Sequence, residues 1–261
     1  MQLVLDVGNT ETVVGAVDGE RIVQGHWRLS TQVPRTSDEY AHLLRGLLRE
    51  GGFADASFER AVLGSVVPSA TDVLVPTLGR LVRGPVLNID ATSALPIRLS
   101  VDEPRTVGAD RIVNTLAARE LYDRDIIAVD LGTATTYDCI TSDGEFMGGV
   151  IAPGVSAGLE WLGRRTAKLP RVEFLAPGKV IGTRTDACIR SGIFYGVVDA
   201  IDGMVERIRG EWRRPEARVV ATGGYAAAVA PHTRTVDTVE PFLTLYGLAI
   251  AGEILGGVAS D

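Results

Sequence analysis

Residues 3–12, LVLDVGNTET, and residues 126–136, IIAVDLGTATT, are two versions of one pattern, and their pairing decides the reading of the chain. Each is an apolar strand that ends in an aspartate, Asp6 or Asp130, and then turns through glycine and small hydroxyl or amide residues. After the first copy come a β-rich stretch from Thr12 to Val17, a turn at Asp18-Gly19 and another strand. After the second come Thr136 to Ile140, a turn at Asp143-Gly144 and again a strand. Aligning Asp6 with Asp130 also matches Gly8 with Gly132 and Thr12 with Thr136. Self-similarity at half-chain distance predicts two duplicated lobes, because a solenoid repeats at a shorter period of about 20–50 residues.

The rest of each half fits the same plan. Apolar periodicity predicts a helix over 38–50, a strand over 60–67, a helix over 70–82 and a strand over 85–89. In the second half it predicts a long helix over 186–212, a strand over 218–221 and a closing helix over 242–255. Alternating strands and helices make the fold α/β. The stretch Pro104 to Val107 and the helix after it, Ile112 to Leu121, read as the lobe junction, dividing residues 1–112 from 113–261.

Composition narrows the function classes. The 261 residues suffice for two compact lobes with buried cores, and 46% hydrophobic with 23% charged residues is the make-up of an ordinary globular protein. A net charge of −7 with scattered Lys and Arg offers no basic face to a phosphate backbone, so nucleic acid is not expected as a partner. The start, MQLVLDVGNT, lacks a basic segment followed by an apolar core and cleavage site, and no apolar run approaches membrane-spanning length, which predicts a soluble, cytoplasmic chain. Cys139 and Cys188 stand far apart, outside any CxxC pair, and are expected as reduced, buried thiols.

A strand that ends in Asp before a glycine turn has a definite chemical use. The turn's backbone N–H groups hold phosphate oxygens while the carboxylate holds a hydrated divalent cation. A single such turn is equally well a plain hairpin. Two copies in two lobes favour a grip on a polyphosphate, and no Walker A or Rossmann glycine pattern follows either strand. Gly108-Ala109-Asp110-Arg111 adds a carboxylate and a cation at a helix start, the pair that phosphoryl transfer to an alcohol requires, although an Asp in a first helical turn also serves the helix dipole. Gly223-Gly224 after the strand 218–221 leaves room for a flat base or ribose, and Gly148, Gly149, Pro153 and Gly154 read as a constrained loop.

In order, DVGNT, GADR, DLGTATT, GGVIAPG, TAKLP, ATGG and PFLTLYGL resemble the type III pantothenate kinase family over nearly the whole chain. The resemblance implies two ribonuclease-H-like lobes of duplicated topology with the ATP site in the cleft between them. It implies ATP-dependent phosphorylation of the primary hydroxyl of pantothenate, the first step of coenzyme A synthesis, with Mg²⁺ and a monovalent cation, K⁺ or NH₄⁺. Carried over by position, Asp6, Val7, Gly8, Asn9, Thr10, Glu11, Thr12 and Val13 match the first phosphate loop, with Asp6 associated with magnesium. Thr133 matches a second nucleotide contact and Asp130 the monovalent-cation ligand. Gly108, Ala109, Asp110 and Arg111 match the pantothenate motif, with Asp110 as general base, and Thr185 matches a further substrate contact. The resemblance also implies a homodimer that completes the pantothenate pocket, and the helix face Ile193, Val197, Ile201 and Met204 is the expected apolar surface for it.

Three positions depart from the family pattern. Glu11 replaces a residue that is often Asn, Arg184 stands where Asn usually precedes the matched threonine, and Val101 stands where Tyr is common. A carboxylate at position 11 beside a polyphosphate is expected either to face solvent, to pair with a nearby cation such as Arg111 or Arg184, or to help bind magnesium. Two other functions fit the same architecture: another small-molecule kinase or phosphatase, and a non-catalytic nucleotide-binding regulator. GADR is not a sugar-kinase signature, and a pure binder has no use for the base at Asp110.

Overall fold

The computed structural model describes residues 1–165 and 169–257. In chain order the elements are β1 (Gln2–Val7), β2 (Glu11–Val17), β3 (Val23–Ser30), α1 (Ser37–Glu50), β4 (Arg60–Ser65), α2 (Pro68–Leu78), β5 (Val86–Ile89), β6 (Arg98–Leu99) and α3 (Ala109–Leu121). They continue as β7 (Ile126–Leu131), β8 (Ala134–Ile140), β9 (Glu145–Pro153), α4 (Val155–Arg165), α5 (Thr185–Trp212), β10 (Arg218–Thr222), α6 (Ala226–Val229), β11 (Thr238–Val239) and α7 (Leu243–Gly256). The chain forms two compact units. The first holds Met1–Leu121, Asp143–Phe146 and the chain from Phe242 on, and the second holds Tyr122–Ser142 and Met147–Pro241.

The first unit is a sheet of order β3-β2-β1-β4-β5 with helices on both faces. Its central strand β1 is apolar at successive positions because both of its sides are covered, the condition that gives an unbroken apolar run. Leu3, Leu5 and Val7 pack with Leu44 and Leu48 of α1 and with Leu74 and Leu78 of α2. Val4 turns the other way, onto Val113 and Leu116 of α3 and Leu245 and Leu248 of α7. Helix α1 begins where a capping box forms: the Thr36 hydroxyl accepts from the Glu39 N–H at 3.3 Å, and the Glu39 carboxylate accepts from the Thr36 N–H at 2.7 Å. Helix α7 is apolar almost all round, as a helix buried between others must be, and it meets α3 through a hydrogen bond from the Thr244 hydroxyl to Asn114 Oδ1 at 2.9 Å.

The sheet of the second unit runs β11-β10-β7-β8-β9. Its strand plan copies the first: β7 pairs antiparallel with β8 and parallel with β10, as β1 pairs antiparallel with β2 and parallel with β4. Ile127, Val129 and Leu131 pack against Phe194, Val198, Ile201 and Val205 of α5. The α5 face expected to meet another copy is therefore largely internal. Ile201 is buried in this core, and Val197 and Met204 pack partly buried against it.

The boundary expected between residues 112 and 113 falls inside α3, all of which belongs to the first unit. Pro104–Thr106 forms a single tight turn within that unit rather than a junction. The last helix returns to the first unit because its apolar surface is buried on β1, β4 and α3. Gly148, Gly149 and Pro153 lie inside β9 and only Gly154 follows it, since Phe146, Val150 and Ile151 keep the strand's alternation through the glycines. Cys139 is buried, whereas Cys188 is exposed in the first turns of α5 with its thiol on the Gly182 carbonyl. Among the described residues no helix is long and apolar enough to cross a membrane.

Candidate active site

Ligand sites in α/β sheets form beyond the carboxyl ends of parallel strands, and in the first unit β1 and β4 are a central pair of such strands, with β5 beside β4. The two strands run in register with Val7 beside Ser65. Beyond β1 the Gly8 N–H donates to the Glu11 carbonyl at 3.0 Å, which closes the turn and leaves Asn9 exposed and Thr10 half-buried at its apex. The side chains of Val7 and Thr12 are fully buried, and the Thr12 hydroxyl is hydrogen-bonded to that of Thr31 at 2.8 Å. What this turn offers a phosphate is its backbone and its apex, not the side chains at its two feet.

The same edge carries the start of α3. The Val66 N–H donates to the Val7 carbonyl at 3.1 Å, and Val66 Cγ1 lies 3.4 Å from where a side chain on Gly108 would begin. Gly108 caps α3 through its carbonyl, which accepts from the Ile112 N–H at 3.2 Å. Ala109 is buried, while Asp110 and Arg111 are half-buried. Asp110 Oδ1 accepts from the Arg111 N–H at 2.9 Å, which sets the orientation of the carboxylate. Glu11 pairs with neither Arg111 nor Arg184. Its partner is Arg28 on β3, at 3.0 Å with both side chains about half exposed. Pairing of Glu11 with Ser30 and of Val13 with Arg28 makes the two charges diagonal neighbours on one sheet face, which the sequence alone does not reveal because it hides the β2–β3 register.

In the second unit the corresponding edge is made by β7 and β10, with Asp130 beside Thr222. The Gly132 N–H donates to the Ala134 carbonyl at 3.1 Å, a turn one residue shorter than the first, and Thr133 is exposed at its tip. Two glycines press on this turn. A side chain at Gly154 would overlap the Thr133 and Gly132 carbonyls, and one at Gly223 would overlap Asp130 Oδ1 and the Leu131 backbone. Gly223 also has φ +89°, a conformation that L side chains rarely adopt. The bareness read at Gly223-Gly224 as room for a base is thus used at Gly223 for close packing on Asp130. Gly154, read from sequence as part of a constrained loop, packs directly against this turn, and its place after Pro153 is the signal the sequence offers for such a tight approach.

Thr185 is exposed as the first residue of α5. The preceding Arg184 turns its guanidinium onto Asp186, Nε to Oδ1 at 3.1 Å. Loss of water around the Asp186 carboxyl raises its pKa, but the hydrogen bond and charge of Arg184 and nearby backbone N–H groups outweigh this and hold it below the usual range. Val101 is half-buried, and of the TAKLP stretch Thr166, Ala167 and Lys168 lie outside the described residues. Among the described residues no three His, Cys, Asp or Glu side chains are grouped to hold a metal ion. Single carboxylates at the ends of β1 and β7 fit Mg²⁺ or K⁺ only with other oxygens completing the shell, and magnesium bound beside phosphates commonly uses one or two carboxylates.

A family model described as type III pantothenate kinase matches residues 2–207. The chain is 44% identical over 255 residues to the type III pantothenate kinase of Geobacter sulfurreducens, covering 97% of this chain and 98% of that protein. It is 42% identical over 259 residues to that of Moorella thermoacetica, covering 97% and 99%. Among solved structures it resembles a ROK family glucokinase from Streptomyces griseus in complex with glucose and AMPPNP, with TM-score 0.56 at 12% identity over 97% of this chain and 98% of that one. At that identity the likeness is one of fold, the two-lobed α/β fold of the sugar-kinase ATPases.

Proposed function

The chain belongs to the type III pantothenate kinase family, and on that premise we propose that Asp110 is the general base of its reaction, ATP-dependent phosphorylation of pantothenate at its primary hydroxyl. The observation that carries this reading is the adjacency of two features at one sheet edge: the Asp6 turn, and the Asp110 carboxylate held by the Arg111 N–H. Phosphoryl transfer asks a protein for positioning and charge stabilisation more than for covalent chemistry. Asp110 takes the proton of the attacking hydroxyl, and Arg111 holds the acceptor in line. Gly108 and Ala109 complete the acceptor contacts within this unit, and Thr185 serves the acceptor site of a second copy in the homodimer.

The turn from Asp6 to Val13 binds ATP phosphates mainly through backbone N–H groups, with Thr133 as a second nucleotide contact and Gly223 and Gly224 beside it. Asp6 would hold magnesium, which would offset phosphate charge, and Asp130 would hold a potassium or ammonium ion to the same end, since oxygen ligands without octahedral demands suit such ions. Rates compared in potassium, ammonium and sodium buffers test the second ion. Equal rates would remove Asp130 from that role. The chain works as a cytoplasmic homodimer. Support comes from apolar side chains that the second unit leaves exposed, among them Met147 and Ile151 on one face of β9, Trp161 and Ile181. A monomeric mass by light scattering at micromolar concentration would refute the dimer, and recovery of the native protein in a membrane or secreted fraction would refute the location.

The activity is tested by coupled ADP release with pantothenate, glucose and glycerol as acceptors. Stimulation by pantothenate alone is expected. Equal stimulation by the sugar would favour a broader kinase, and ATP binding without turnover on any acceptor would favour a nucleotide-binding regulator.

A further inference from the structure

Helix α1 carries Asp38, His42, Arg45 and Arg49 at steps of four, three and four residues, a spacing that sets them in one stripe along the helix. The stripe lines a cavity of about 240 Å³, and Arg80, just past the end of α2, lines it too. All of these residues lie in the first unit, and none belongs to the Asp6–Val13 turn or to Gly108–Arg111. Arg80 donates to Asp38 Oδ1 at 3.0 Å and to the Ser37 hydroxyl, so the one carboxylate that lines the cavity is already paired. Arg45 and Arg49 are exposed, and among the described residues neither side chain has an ion-pair partner. Gly46 also lines the cavity, in the interior of α1. A side chain begun there would meet no other atom within 4 Å, so packing does not demand a glycine, although glycine inside a helix is less stable than alanine.

We infer that this groove is a binding site for a small phosphoryl anion of diphosphate size. A guanidinium presents its N–H donors as a fork that matches phosphate oxygens two at a time. Arg45 and Arg49 are one helical turn apart, with about 5–6 Å between their Cβ atoms, a spacing that gives each of two linked phosphoryl groups its own fork. The bare backbone at Gly46 lets the oxygens come close to the helix beside those forks. Arg80, held by Asp38 and Ser37, adds a fixed cation at the start of the helix, and His42 adds a ring N–H. Arg49 in the last turn also complements the negative end of the helix dipole. That role does not extend to Arg45, whose like charge four residues earlier opposes helix formation, nor to Gly46. The cavity is smaller than the roughly 300–1,000 Å³ of pockets for drug-sized ligands, and three arginines are few for a stretch of nucleic-acid backbone.

Inorganic pyrophosphate is the probe, titrated by calorimetry into the full chain with the ATP site saturated by AMPPNP and magnesium. Pyrophosphate should bind about tenfold or more tightly than inorganic phosphate, and Arg45→Gln combined with Arg49→Gln should weaken it by about tenfold or more, the scale of one lost hydrogen bond to a charged group. Arg45→Lys, which keeps the charge and loses the fork, should fall between the two. Affinity for AMPPNP should stay within about twofold in every variant, and pyrophosphate binding should weaken as salt rises. Gly46→Ala separates binding from folding: it should raise the unfolding midpoint, as helix propensity requires, yet weaken pyrophosphate by about threefold or more. No pyrophosphate binding, or equal binding in the double glutamine variant, would overturn the site. Unchanged affinity in Gly46→Ala would overturn the close approach to the helix. Binding of hexaglutamate that the same variants lose, with none of pyrophosphate, would overturn the ligand class in favour of an acidic peptide.

Discussion

The turn after β1 and the turn after β7 occupy the same place in the same strand plan, yet they are built to different tolerances. The first is closed over three residues, with Asn9 and Thr10 at an open apex and the Glu11 carboxylate drawn sideways onto Arg28. The second is a residue shorter, and glycines at 154 and 223 bring two other chain segments against its backbone. The first shares its sheet edge with a helix start that carries a carboxylate and a cation, Asp110 and Arg111. The repeated strand plan thus holds two turns: one is left open beside Asp110 and Arg111, and the other is closely packed around Asp130.

Adding a methyl group to each turn's surroundings is the most forceful way to break this comparison. Gly223→Ala meets both a backbone conformation that L side chains rarely adopt and the Asp130 carboxylate, so a loss of about 3 kcal/mol or more in stability is expected, from strain of about 1–3 kcal/mol and added overlap. Thermal unfolding checks it, and an unchanged midpoint would show that the second turn can yield.

Asp130→Asn sharpens the comparison without adding bulk. It keeps the shape and removes the charge, so stimulation by potassium or ammonium should disappear while the fold remains. Titration of rate against each cation decides this, and a retained stimulation would place the ion elsewhere.

The contrast in legibility follows the same line. Both turns were readable because their chemistry is local: an apolar run, an aspartate, a glycine. What came from distant residues was not readable. Nothing near Glu11 names Arg28, since the β2–β3 register sets that pair, and nothing near Arg45 names Arg80, which is 35 positions away in the sequence. The helix 155–165 passed unread behind Pro153 and Gly154, which resemble a loop when judged without the partners of β9. Apolar spacing marked α5 as a helix with one apolar face, but spacing cannot tell a face buried in its own core from one offered to another copy. The return of α7 to the first unit is likewise a matter of tertiary closure.

The smallest effect is expected at Glu11. An exposed ion pair is worth about 0–1 kcal/mol, so Glu11→Asn should move the unfolding midpoint little. ATP binding by calorimetry should be unchanged or tighter, with any gain shrinking as salt rises, because one negative charge is removed near a polyanion. Abolished Mg-ATP binding would make Glu11 a metal-site residue and would contradict its assignment as a carboxylate drawn away from the turn.

The central claim is that the acceptor chemistry lives in the first unit, at Asp110. The direct test is to measure turnover and pantothenate binding side by side in Asp110→Asn, which preserves shape and removes basicity. Turnover should fall by about 10²-fold or more, the usual worth of a positioned base, while calorimetry still detects pantothenate with little change in affinity. Turnover close to that of the unaltered protein would contradict the account and leave the base to be found elsewhere.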